Sequence, residues 1–305
     1  TYDFESMIIM LLQATRNQTK TAEIGRCGFR LVNRIMHSAT ERGLQRRNLS
    51  VQTIEHISID EKSFKKGHNY VTVISHPKHR IVLNVGENRD QHATEELLKQ
   101  TFNDQQLTNM NTVTMDMWRP YIGAVKGIMP DAEIVHDKFH LIKYLNNAID
   151  HTRRREIKKH DLLKNSRYVL LKNQENLTQK QLIKYQTIKD ANLQVTQAMG
   201  IREIFKSLFD YQHDQQGARE LLENWAKDSL DKSIKEINKV VQMFLNHSNG
   251  VINALISGLN NAMAERLNGK IQEVKMTARG YRRFQNFRSA ILFFNGGLNL
   301  FPRNW

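Results

Sequence analysis

Three carboxylates have the type and placement that metal-dependent phosphate chemistry needs. Asp60 closes the alternating stretch HISID, Asp116 closes the short apolar stretch NTVTMD, and Glu265 stands in NAMAERLNGK, a polar and basic stretch. The separations are 56 residues (116 minus 60) and 149 residues (265 minus 116). A carboxylate at the end of a buried strand is costly unless it has a partner or a task. Two such strand ends, side by side in a sheet, would repel each other, and a divalent cation relieves that repulsion. Hard oxygen donors suit Mg²⁺ or Mn²⁺. Two such ions about 3.5–4 Å apart can activate an attacking oxygen and stabilise a leaving one in an in-line phosphoryl displacement. A third carboxylate from a helix would complete the cage.

The elements must then bring these acids together. Residues 54–85 read as three strands: Ile57–Asp60 alternates, Tyr70–Ile74 is rich in β formers, and Arg80–Val85 alternates again after a turn at His76–His79. A helix is expected from Thr94 to Phe102, then the strand ending at Asp116, then a helix with Pro120 near its start. AEIVHD gives one more short strand. The predicted order is β-β-β-α-β-α-β. From Lys138 to about Ser248 the chain reads as helical, with no repeat and no proline between Asp131 and Leu300, which makes it a folded insert rather than a linker. Val251–Ala278 reads as helical again. There Met263, Leu267, Ile271 and Val274 form an apolar stripe, while Asn261, Glu265, Asn268 and Gln272 form a polar face with one acid. Spacing alone fits a metal site and a solvated surface equally.

The first 48 residues read as helices. Gly25 and Gly28 bracket a turn, and a second helix over about 28–42 carries Arg30, Asn33 and Arg34, the pattern of a helix-turn-helix. A small helical hairpin of another purpose would give the same pattern.

Composition narrows the partner. The chain has 305 residues, 40% hydrophobic and 25% charged, with 45 Lys and Arg against 31 Asp and Glu, a net charge of +14. Such a balance points to a polyanion, with nucleic acid first. No run is long and apolar enough to span a bilayer, and residues 1–25 carry no signal-peptide pattern, so a membrane partner is not expected and a cytoplasmic, nucleoid-associated setting is. The single cysteine, Cys27, excludes an intramolecular disulfide and a Cys-rich zinc site, and is expected to be structural. The twelve histidines show no zinc-ligand spacing. The chain begins at Thr1 rather than Met, so upstream residues are expected.

The stretches ISIDEKSFKKGHNY, VTMDMWRPYIGAVKGIMPDAEIVHDKFHLIKYLNNAID and NAMAERLNGKIQEVKMTARGYRRFQNFR resemble the DDE-type insertion-sequence transposases of the ISL-three family. The resemblance runs over residues 50–295; between 160 and 250 it is one of general character only. It implies an α/β fold with a ribonuclease-H-like mixed-sheet core, a large all-α insertion and an N-terminal helix-turn-helix. The expected organisation is 1–48 for the helix-turn-helix, 49–150 for the first part of the core, 151–250 for the insertion, and 251–305 for the last part with the Glu helix. It implies Asp60, Asp116 and Glu265 as catalytic, metal-binding residues holding two Mg²⁺ or Mn²⁺ ions. It implies cleavage at transposon ends and strand transfer by the freed 3′-hydroxyl, with double-stranded DNA as partner and a homo-oligomer assembled on it. It also implies a zinc ribbon upstream of the helix-turn-helix, and no ribbon is present in this sequence. Two other readings stay open: another nuclease of the same fold, such as a junction resolvase, and a DNA-binding relative that does not cut.

Four further signals have weighed alternatives. Asp137 and His140 in VHDKFH fit either a supporting place beside the metals or a helix N-cap with a packed histidine, and the cap is favoured. Trp118, two residues after Asp116, fits a base-stacking surface or a packed ring, and packing is favoured. In TARGYRRFQNFR, arginines alternate with Tyr281, Phe284 and Phe287. Contact with DNA phosphates is expected from Arg279, Arg282 and Arg283, together with Lys270 and Lys275 on the preceding helix and Arg30 and Arg34 near the N-terminus. The basic run TRRREIKKH at 152–160 serves equally as a DNA track or a solvated face.

Overall fold

A computed structural model describes residues 1–47, 54–65, 69–257 and 262–302, with the backbone alone for 262–265. The elements are α1 (Tyr2–Thr15), α2 (Gln18–Ile24), α3 (Phe29–Arg46), β1 (His56–Lys65), β2 (Asn69–His76), β3 (Ile81–Glu87), α4 (Gln91–Thr101), α5 (Asp104–Thr108), β4 (Thr112–Met115), α6 (Arg119–Ile128) and β5 (Glu133–His136). Then follow α7 (Lys138–Glu156), α8 (Arg167–Leu171), α9 (Gln179–Asp190), α10 (Gln194–Ser207), α11 (Gln215–Asp231), α12 (Lys235–Asn246), α13 (Ser248–Ser257), α14 (Ala262–Thr277) and α15 (Phe284–Asn295). The chain divides into two compact units, one of residues 1–134 with 261–305 and one of residues 135–260.

The sheet has the order β3-β2-β1-β4-β5. β1 pairs antiparallel with β2, β2 antiparallel with β3, and β1 parallel with β4. A three-strand meander extended by the parallel strand β4 and then β5 is consistent with a ribonuclease-H-like core. Alternation along the strands explains why it forms. Ile57 and Ile59 of β1 and Val113 and Met115 of β4 enter one buried cluster with Leu97, Leu98, Tyr121 and Val125 of α4 and α6. Val71, Val73, Val82 and Val85 enter a second cluster with Leu267 and Ile271 of α14 and Phe287 and Ile291 of α15. Both faces are therefore covered by helices, and successive residues of a strand go to opposite layers.

The N-terminal helices belong to the same unit. Ile8, Ile9 and Leu12 of α1 and Val32, Ile35 and Met36 of α3 form a third cluster with Val274, Ala290 and Phe293. The α2–α3 turn is tight: a Cβ on Gly25 would stand 2.7 Å from Ile8 Cδ1 and 3.0 Å from the Thr21 carbonyl oxygen. Cys27 packs against this cluster.

The second unit is helical in its described part apart from the last residues of β5. Phe205 is fully buried, with ring centres of Trp225 and Phe244 at 4.7 and 5.1 Å. Asp150 is buried and pairs with Arg153, Arg154 and Arg167, while Arg155 pairs with Glu236. These pairs occupy Arg153, Arg154 and Arg155 of the basic run within the unit's own structure. No helix among the described residues is long and apolar enough to cross a membrane.

Candidate active site

Register brings the two aspartates together. The parallel ladder of β1 and β4 ends at the pair Ile59 and Met115, and Asp60 and Asp116 come next along the two segments. Asp116 follows the end of β4, whereas Asp60 does not close its strand as expected, because β1 runs on to Lys65 through its pairing with β2. Neighbouring strands lie about 4.7–4.9 Å apart. Because Ile59 and Met115 face the α4–α6 layer, their successors belong to the opposite layer, the side of the sheet that α14 covers. Both carboxylates are half-buried.

Local hydrogen bonds fix how each acid is held. Asp60 Oδ1 accepts from the Glu61 N–H at 2.7 Å, and Asp116 Oδ1 accepts from the Met117 N–H at 2.7 Å. Asp60 Oδ2 accepts from the Asn268 side-chain amide and lies 3.4 Å from Lys62 Nζ. Its side chain keeps 16% of its surface exposed. Asn268 sits on α14, 208 residues away in sequence. The helix is held there by Leu267 and Ile271 below and by Lys275 Nζ, which donates to the Ser63 carbonyl oxygen of β1 at 2.6 Å.

Glu265 lies in α14 one turn before Asn268, and its side chain is outside the described residues. So are Asn261, the first position of the expected polar face, and the side chain of Met263, the first of the apolar stripe. The described remainder of that stripe, Leu267, Ile271 and Val274, is buried. Of the polar face, Asn268 reaches Asp60 and Gln272 is exposed. Among the described residues no three His, Cys, Asp or Glu side chains converge as a metal cluster.

The Asp60 charge is felt in the layer beneath. The Tyr121 hydroxyl is buried, 3.0 Å from the Thr72 hydroxyl, and its pKa is raised, chiefly by burial and also by Glu61 and Asp60. At the far end of β2, His76 is driven down to about 4 by burial and by neighbouring His79 and His56.

Asp137 caps α7, accepting from the Phe139 N–H at 2.8 Å, and its other oxygen lies 3.1 Å from His140 Nδ1. Trp118 departs from the expectation of packing: 38% of its surface is exposed, because it stands in the turn between β4 and α6, as the residue that caps α6. Among the basic residues, Arg30, Arg34, Lys270, Arg279, Arg282 and Arg283 are exposed. Lys275 donates to the Ser63 carbonyl oxygen of β1 and Arg288 donates to Asn84, contacts no sequence pattern reveals. One cavity of about 750 Å³ joins the start of α3 to the α14–α15 turn, with Arg16, Lys20, Phe29, Asn33, Arg279 and Arg282 on its walls.

Comparison with known proteins settles the family. The transposase family profile of the ISL-three type matches residues 57–291. The chain belongs to the ISL-three family of DDE transposases. It is 29% identical over 237 residues to the transposase for insertion sequence element IS1001 of Bordetella parapertussis, covering 75% of this chain and 58% of that relative. It is 24% identical to the transposase for insertion sequence element IS1557 of Mycobacterium tuberculosis, covering 92% of this chain and 69% of that relative. The chain thus spans under two thirds of the length of the first of these relatives.

Proposed function

We propose that this chain carries the catalytic centre of a DNA transposase, with Asp60, Asp116 and Glu265 as its acids. The observation that carries the reading is the juxtaposition of Asp60, within β1, and Asp116, just past the end of the parallel strand β4, with α14 tied to Asp60 through Asn268. Positions three apart on a helix share a face, so the face that meets Asp60 is the one to which Glu265 belongs.

The donor set fits a hard divalent cation. It offers two half-buried carboxylates on one side of the sheet, the hard oxygen ligands that such an ion takes. Asp60, Asp116 and Glu265 would hold Mg²⁺ or Mn²⁺, two ions in all. When bound, the ions supply Lewis acidity to an in-line phosphoryl displacement. The carboxylates fix the ions, and Asn268 and Lys62 keep Asp60 oriented. The phosphodiester at an element's end is hydrolysed, leaving a 3′-hydroxyl. That hydroxyl then attacks a second phosphodiester, one P–O bond forming as another breaks, and no covalent bond to the protein is needed. Arg30, Arg34, Lys270, Arg279, Arg282 and Arg283 neutralise the DNA backbone, and double-stranded DNA is gripped by a homo-oligomer.

The test is cutting and joining of labelled insertion-element ends in Mg²⁺, comparing the unaltered chain with Asp60→Asn, Asp116→Asn and Glu265→Gln, and measuring DNA binding alongside. Loss of both reactions with binding retained supports the triad. Cutting without joined products turns the assignment toward a resolvase-type nuclease, and binding with no cutting by the unaltered chain turns it toward a non-catalytic relative.

A further inference from the structure

β3 is the outer strand of the sheet, with β2 between it and β1. Beside it opens a cavity of about 540 Å³, walled by Leu83 and Asn84 of β3, Lys99 and Thr101 of α4, Arg47 just past α3, and Arg288 of α15. Both arginines are half-buried. Neutral groups hold each guanidinium in place. Arg47 Nη1 donates to the Val82 and Gly296 carbonyl oxygens at 3.1 and 3.2 Å, and its Nη2 donates to the Leu83 carbonyl oxygen. Arg288 Nη2 donates to the Asn84 side-chain oxygen at 2.9 Å, and the Asn84 amide nitrogen donates to the Thr101 hydroxyl at 3.0 Å.

Carbonyl and amide oxygens satisfy N–H groups but do not neutralise a charge. Among the described residues Arg47 forms no ion pair, and residues 48–53, NLSVQT, contain no acid. The acid nearest Arg288 is Glu41, at 3.9 Å, and the Glu41 side chain is 61% exposed to water. Burial pushes the Arg47 guanidinium down to about 10, and the neighbouring Arg288 charge adds to the effect. Arg288 is lowered by burial too, with Glu41 opposing it. Two half-buried like charges without a matching acid are costly until a counter-charge joins them. Arg47 has a task of its own, since it covers carbonyl groups of an edge strand. That task does not account for a second guanidinium on the wall of the same cavity.

We infer that this cavity is an anion site that takes a phosphate group between the Arg288 and Arg47 guanidiniums, with Lys99 at its rim. A guanidinium matches phosphate oxygens with two parallel N–H donors, and two of them with an ammonium suit an anion of more than one charge. Lys99 is half exposed, and its pairing with Glu96 at 3.6 Å is a loose surface contact that an entering anion displaces at little cost. The volume lies within the range of small-molecule cavities, about 300–1,000 Å³, so the phosphate enters with the sugar or chain that carries it. Its source is either a phosphodiester of a DNA backbone or a free phosphate compound. The site stands apart from the Asp60–Asp116 pair, on the outer strand of the sheet.

The test is thermal unfolding of the chain against inorganic phosphate, in EDTA, with sodium chloride holding the ionic strength constant. The unaltered chain and Asp60→Asn should show the same saturating rise in Tm. Arg288→Gln should be at least as stable as the unaltered chain without phosphate, because it relieves the like-charge pair. It should bind phosphate about 10- to 150-fold more weakly, the loss expected for a hydrogen bond between charged partners. Lys99→Ala, at the exposed rim, should weaken phosphate about 2- to 5-fold. Duplex binding in EDTA tells the two sources apart. If the backbone is the source, Arg288→Gln lowers the slope of log affinity against log salt by about 0.9; an unchanged slope with phosphate binding lost identifies a free phosphate compound. The proposal is overturned if phosphate gives the unaltered chain no saturating rise and the duplex slope is unchanged. It is overturned equally if Arg288→Gln starts from a lower Tm and keeps the full rise, as a merely structural arginine would, or if Lys99→Ala binds phosphate undiminished. No outcome depends on Asp60, Asp116 or Glu265, so failure here leaves the transposase reading in place.

Discussion

The contact between Asn268 and Asp60 should be measurable as a coupling energy. The amide is the link that ties α14 to β1, so Asn268→Ala removes a hydrogen bond to a charged acceptor. Such bonds are worth about 1.5–3 kcal/mol. Here Asp60 retains 16% exposure and has Lys62 Nζ at 3.4 Å, so water and the ammonium take over part of the role. The expected coupling between Asn268→Ala and Asp60→Ala, from urea unfolding of both single variants and the double, is therefore about 1–2 kcal/mol. Asn268→Asp gives the opposite sign. Two carboxylates about 4 Å apart at an effective dielectric near 20 repel by about 4 kcal/mol. That variant should be destabilised in metal-free buffer and recover more stability than the unaltered chain when Mg²⁺ is added. A coupling within about 0.3 kcal/mol of zero, with no extra recovery of Asn268→Asp in Mg²⁺, would refute the placement of the α14 polar face over Asp60.

Acidification should destabilise the sheet through His76. Its folded pKa of about 4 lies below its ordinary value of 6.5, so the unfolded chain takes up a proton that the folded chain refuses. The contribution is absent above pH 6.5, grows as pH falls toward 4, and is about 1 kcal/mol at pH 5.5; His76→Gln should flatten that part of the stability profile, and an unchanged slope would contradict the assignment. Arg279→Ala and Arg282→Ala should each weaken binding to any DNA duplex and reduce the slope of log affinity against log salt by about 0.9; an unchanged slope removes those residues from the interface. Phe205→Ala should destabilise the helical unit by about 3–5 kcal/mol in thermal unfolding. A loss under about 1 kcal/mol would mean that the rings of Phe205, Trp225 and Phe244 do not form one tightly packed core.

Much of this fold was legible because its signals are local. Alternation in Ile57–Asp60 marks β1 and the short apolar run NTVTMD marks β4; the carboxylate marks the end of β4 at Asp116 but not of β1, which continues past Asp60 to Lys65 because its pairing with β2 goes on. The 3.6-residue stripe through Leu267, Ile271 and Val274 marks the buried side of α14. Periodicity says which face is buried, not what it meets. It could not show that Asn268 pairs with Asp60, that Lys275 donates to the Ser63 carbonyl oxygen, or that α3 packs against α15. Each depends on a contact between residues more than 200 positions apart. Trp118 was misread for a related reason: aromatic type favours burial on average, and only its place before α6, with the indole tied to the Arg89 backbone, leaves it at the surface.

The central claim, that Asp60, Asp116 and Glu265 share a divalent-metal site, is tested most directly by Mn²⁺ binding followed by electron paramagnetic resonance, with DNA present. The unaltered chain should take up two Mn²⁺, and Asp60→Asn, Asp116→Asn and Glu265→Gln should each lose at least one of them while still binding DNA. Full Mn²⁺ uptake by Glu265→Gln would contradict the account and leave Glu265 as a surface acid of α14.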